Sequence, residues 1–279
     1  MVLRILAVAV LSGAPGLLAQ WPAWPTPAVP KTADGKPNLS GPTPKTPDGK
    51  PDLSGIWQYM RPPGERPPTP PPEPPSKEDN IVPLAVRRSQ FWNLGASFKD
   101  GLPFTPWAAE LHRQRVEQNS KENPDAHCLP LGVMQLHTHG QPRKIVQTPN
   151  LLVIMYEANS GLRQVFLDGR TMPKDPDPWW YGYSVGHWDG DTLVVESAHF
   201  RDLGWLDVEG SPLTESGRII ERFRRPDYGH LQIEVTIDDP KAYTKPWTVT
   251  VNQRVLLDTD LIEFICLEND KAGPHLVGK

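Results

Sequence analysis

Leu231-Gln232-Ile233-Glu234-Val235-Thr236-Ile237 alternates apolar and polar side chains without a break. Successive side chains of an extended strand point to opposite faces, so this segment has one wholly apolar face and one wet face. The same texture extends outward through residues 141–267, with strand-like segments at 143–147, 151–158, 162–167, 181–188, 192–198, 218–224, 231–237, 247–257 and 261–267. Asp168-Gly169, Asp189-Gly190 and Tyr228-Gly229 read as the turns between them, because glycine accepts the positive φ that tight hairpins need. Upstream, Gly55-Ile56-Trp57-Gln58-Tyr59 supplies a first strand near 55–59. A total of about 8 to 10 strands predicts an all-β fold, an antiparallel meander or barrel whose closure removes exposed edges. One helix precedes the main run. Thr105 is its N-cap, Pro106 its first-turn proline, and residues 107–119 carry Trp107, Leu111 and Val116 for packing, either as a plug in one end of the barrel or on its surface.

The rest of the chain divides around this domain, assigned to residues 81–279. Residues 1–19 have a short basic start at Arg4, an apolar stretch and a small residue, Ala19, before a proline-rich change of composition. That is the pattern of a cleaved secretory signal, and it predicts a secreted or periplasmic protein. No later run is long and apolar enough to span a bilayer. Residues 20–80 are rich in proline, which removes backbone donors, so they read as a spacer or surface strap able to contact a partner protein. Within them a tandem 12-residue duplication appears: Pro-Lys-Thr-Ala-Asp-Gly-Lys-Pro-Asn-Leu-Ser-Gly ending at Gly41, and Pro-Lys-Thr-Pro-Asp-Gly-Lys-Pro-Asp-Leu-Ser-Gly ending at Gly55. Only the second copy runs on into a strand. A net charge of −4 and a pI near 6.1, with scattered basic residues, leave no electrostatic footprint for nucleic acid. The two cysteines, Cys128 and Cys266, are expected to pair in an oxidising compartment.

Several residue groups can carry chemistry. His137-Thr138-His139, if extended, projects both imidazoles from one face toward a divalent metal, with His127 or Glu157 as a third ligand. No other cofactor is indicated. Gly182-Tyr183-Ser184-Val185-Gly186 has the letters of a hydrolase nucleophile elbow, but strand and hairpin follow it where a helix is required. Trp180, Tyr181, Tyr183, Trp188, Trp205, Tyr243 and Trp247 concentrate near hairpins and strand ends, where aromatic faces with polar tips suit flat or sugar-like ligands. Glu221 shares the inward parity of Ile219 and Phe223, which makes it an acid/base candidate with His187, or half of an ion pair with an arginine. Arg143, Arg163 and Arg222 are the cations available to a carboxylate-bearing ligand.

Asp52-Leu53-Ser54-Gly55-Ile56-Trp57, Cys128-Leu129-Pro130, Gln147-Thr148-Pro149, Gly186-His187-Trp188-Asp189-Gly190-Asp191-Thr192-Leu193-Val194-Val195 and Tyr243-Thr244-Lys245-Pro246-Trp247 together resemble a group of exported proteins of soil bacteria with no established activity. Gly55-Ile56-Trp57 is also similar to the opening of lipocalin-type barrels. These observations predict an exported barrel that binds a small aromatic or sugar-like molecule. The alternatives are a secreted lyase, isomerase or hydrolase on the same barrel, or an envelope protein that contacts a partner.

Overall fold

The computed structural model describes residues 25–62, 89–266 and 268. The signal segment and residues 20–24 and 63–80 of the proline-rich stretch lie outside them. The strands are β1 (Gly55–Met60), β2 (Arg143–Gln147), β3 (Leu151–Tyr156), β4 (Gly161–Phe166), β5 (Tyr183–Asp189), β6 (Thr192–Ala198), β7 (Gly204–Trp205), β8 (Pro212–Leu213), β9 (Arg218–Arg224), β10 (His230–Asp238) and β11 (Trp247–Leu256). Two α-helices, α1 (Pro106–Glu117) and α2 (Val133–Thr138), precede β2. Nine of the strands close into a barrel in the order β1-β11-β10-β9-β6-β5-β4-β3-β2, and β7 and β8 form a separate hairpin.

Alternation places the lumen. Ile233, Val235 and Ile237 of β10 face inward and are buried, opposite Phe223, Glu221 and Ile219 of β9 and Val251, Val249 and Trp247 of β11. Burial of such side chains contributes about 1.5–3 kcal/mol each, so a two-residue period repeated around nine strands specifies register strongly. The β5–β6 connection is the hairpin expected at Asp189-Gly190, with Asp189 opposite Thr192 and Gly190 at φ +60°.

The Asp168-Gly169 turn makes no hairpin. β4 and β5 run parallel and pair only through Val165 with Ser184 and Phe166 with Val185. Residues 167–182 therefore cross from one end of the barrel to the other, as a parallel pair requires. Residues 261–266 form no strand either. β11 already pairs with β10 on one side and β1 on the other, so no barrel edge is left for a further strand. The Cys128–Cys266 disulfide instead ties this segment to the loop before α2.

The two barrel ends differ. At one, short connections between β2 and β3, β5 and β6, and β9 and β10 meet the N-terminal segment. Its two repeat copies fold alike: Thr32 N–H donates to Lys36 O and Gly35 N–H to Thr32 O, and Thr46 and Gly49 repeat both bonds with Lys50 and Thr46. Tyr228 N–H donates to Gly41 O, Gly229 N–H to Leu39 O, and Arg225 to Asp52 O, so this part of the proline-rich stretch is a fitted strap. At the other end lie the long connections, α1, α2 and the β7–β8 hairpin. Here α2, not α1, is the plug, since all six of its residues are buried. α1 is capped by Thr105 as expected but exposes Trp107 and buries only Ala108 and Arg115. Gly132, the N-cap of α2, allows the close seating: a Cβ there would stand 2.1 Å from Trp205 O.

Candidate functional site

Two constellations are built at the plugged end. The first lies inside the barrel. Parity turns Glu221 of β9, Arg163 of β4, Ser184 of β5 and Ser197 of β6 into the lumen, and α2 lowers His137 onto them. Arg163 forms a two-pronged ion pair with Glu221, donating from Nη1 to Oε1 at 2.9 Å and from Nη2 to Oε2. Arg163 also donates to Ser197 Oγ at 2.8 Å, and that hydroxyl lies 2.8 Å from Ser184 Oγ. His137 Nε2 is 2.6 Å from Glu221 Oε1. Burial by itself raises the Glu221 pKa, but the Arg163 charge and hydrogen bonds, with that of His137, outweigh it and hold the carboxyl at about 2. Burial and the neighbouring Arg163 and Arg143 charges lower the His137 pKa against the pull of Glu221. The ionised carboxylate can only accept, so His137 donates Nε2–H in this contact. Among the described residues its Nδ1 is buried without a hydrogen-bond partner. Arg143, its pKa pushed down to about 10 by burial, donates to the carbonyls of His137, His139 and Gln141 and so satisfies the C-terminal end of α2.

The second constellation is an open groove of about 450 Å³ between the lead-in to α2 and the β7–β8 hairpin. Val133, Phe200, Leu213, Trp180 and Trp205 supply apolar and aromatic surface, and Arg115 and Arg201 supply charge. The Arg201 guanidinium lies 5.2 Å from the Trp180 ring centroid, and that of Arg115 lies 4.4 Å from Trp205. Asp207 braces the hairpin by accepting from Leu94 N–H, Gly210 N–H, Ser211 N–H and Ser211 Oγ–H.

The residues expected to bind ligand separate into groups. Trp180 and Trp205 both line the groove, Trp180 half-buried and Trp205 buried beneath Arg115. Tyr181 and Tyr183 flank a small cavity of about 30 Å³ at the β4–β5 seam, with Arg163 and Ser184. Tyr243 and Trp247 are core: the Tyr243 hydroxyl donates to Pro212 O, and its ring packs edge-on against Trp247. Trp188 packs at the strap end beneath Lys50.

Three chemical pairings need correction. His187 is exposed on the outer wall, opposite Val194, whereas Glu221 is opposite Val195 on the inner face, so the barrel wall separates them. Arg222 also points outward and pairs with Asp189 at 3.0 Å. His137-Thr138-His139 is not extended: His137 lies in α2 and His139 caps it. His137 Nε2 is engaged by Glu221, His139 Nδ1 accepts Gln141 N–H, and Glu157 accepts Ile262 N–H. Among the described residues no group of three or more His, Cys, Asp or Glu side chains is placed to hold a metal. Ser184 sits mid-ladder with its hydroxyl in the Arg163 network, not on a nucleophile elbow. Arg115 and Arg201 were not singled out in the sequence. A helix arginine and an arginine after a strand carry no pattern of their own, and only the fold brings them together.

Comparison of the chain with protein-family models, with curated proteins and with solved structures finds no match in any of the three.

Proposed function

We propose that this chain is an exported β-barrel that binds a small, flat ligand in the groove at its plugged end. One observation carries the reading: Trp180 and Trp205, with Phe200 beside them, line a groove of about 450 Å³, within the range of small-molecule sites, at the end where the long loops gather. Stacked aromatic faces give area at low conformational cost. The signal-like leader and the Cys128–Cys266 disulfide support export, and the resemblance to exported soil-bacterial proteins is in keeping with it. Among the described residues no helix is long and apolar enough to cross a membrane. A panel of aromatic and sugar-like fragments, titrated against intrinsic tryptophan fluorescence, tests the reading. A saturable change that Trp180→Ala removes supports it, and binding indifferent to that substitution sinks it.

A second reading, an acid/base enzyme, draws on His137, whose carboxylate-oriented ring leaves Nδ1 as the basic nitrogen. A working base must be reachable. Native-state labelling of His137 by diethylpyrocarbonate at a rate near that of exposed His187 favours this reading, and full protection of His137 removes it.

A further inference from the structure

The charges around the groove are unevenly satisfied, and that imbalance bears on the ligand. Two acids line it with two arginines. Asp202 is engaged, accepting Glu215 N–H at 3.2 Å with Lys241 Nζ at 3.9 Å, and the Glu122 side chain is 63 % exposed, so water screens its charge. The arginines are not matched in the same way. Arg201, exposed and stacked over Trp180, makes no side-chain hydrogen bond or ion pair among the described residues. Arg115 is only 9 % exposed, and its hydrogen bonds go to two neutral carbonyls, Gly210 O at 2.9 Å and Leu203 O at 3.0 Å. Asp207 is the carboxylate that acts on it electrostatically, and that carboxylate is occupied by Leu94, Gly210 and Ser211. A guanidinium this deeply buried with no bonded anion retains a desolvation cost that a carboxylate can offset. The planar fork of donors matches a carboxylate in particular.

We infer that the groove selects an aromatic carboxylate, its ring against Trp180 and its anionic head between Arg201 and Arg115. This rests on the groove being the binding site and adds the charge of its ligand. A guanidinium stacked on an indole is held in place before binding, so less side-chain freedom is lost when the anion arrives.

The experiment uses matched probes: benzoate with benzamide, and 2-naphthoate with 2-naphthamide, each titrated against the full chain and followed by indole NMR. The expected result is tighter binding of each carboxylate than of its amide by about tenfold, the scale of one charge-assisted hydrogen bond. Arg201→Gln should bring that ratio close to one, while Trp180→Ala weakens carboxylate and amide alike. Carboxylate and amide binding equally well, with Trp180→Ala still weakening both, would overturn the inference and leave the groove as the site. No probe binding at all, or binding that ignores Trp180→Ala, would overturn the groove reading and the inference with it.

Discussion

Glu221 has no contact with solvent, and its carboxylate is shared between Arg163 and His137. Glu221→Gln leaves Arg163 charged and buried without its partner, and breaking such a pair costs about 3–5 kcal/mol. Urea unfolding should show that loss, and pairing the change with Arg163→Met should recover much of it. Full loss persisting in the double variant would mean that the pair is not the unit that matters. The same residue sets an acid response. Its folded pKa of about 2 lies below its ordinary value of 4.5, so the unfolded chain binds the proton more readily. Its contribution is complete above the unfolded pKa and is lost as pH falls from about 4.5 toward 2. The urea midpoint of the unmodified chain should drop through that window, and the Glu221→Gln curve should lack that component. The inward direction of Glu221 was readable from its spacing with Ile219 and Phe223. Its partner was not, because Arg163 is far away in sequence and meets it only when the barrel closes.

Elements were legible in proportion to their periodicity. β2, β6 and β9 begin and end where alternation predicts. α2 was missed because six residues hold less than two turns, too few for a helical period to show, and because all six are buried. Reading it as extended is what placed His137 and His139 on one face. The parallel β4–β5 pair was hidden by Asp168-Gly169, which has hairpin letters but leads into a crossover. The repeat offers an internal control on packing. Leu53 of the second copy is 0 % exposed, whereas its counterpart Leu39 is 36 % exposed against Gly229. Leu53→Ala should cost about 2–5 kcal/mol, the range for a buried leucine, and Leu39→Ala well under half of that. Thermal melts of the two variants decide the point, and equal losses would show that the copies share the load.

At the scale of the whole molecule, short turns and the strap occupy one end, and long loops, the plug and the groove occupy the other. That asymmetry follows from topology: the plug segment and the β6–β9 connection both open at the same end. The disulfide joins residues 138 positions apart, across a loop that contains most of the barrel. Its loss should reduce stability by up to about 5 kcal/mol on the chain-entropy account, visible as a lower melting temperature of a Cys128→Ser, Cys266→Ser variant. An unchanged melting temperature would mean that the strands alone hold the C-terminal segment in place. All-β class and the cysteine pairing were legible in the sequence, since each depends on residue type and period, whereas the choice between meander and closed barrel was made only by the fold. The groove was half legible. Its tryptophans stood out, but its arginines act through a juxtaposition that only the folded chain creates. The most direct test of the account follows the assigned indole resonances of the tryptophans while 2-naphthoate is added. The account predicts that Trp180 and Trp205 shift together and saturate while Trp57 and Trp188 stay fixed; shifts centred on Trp188, or none at the groove, would contradict it.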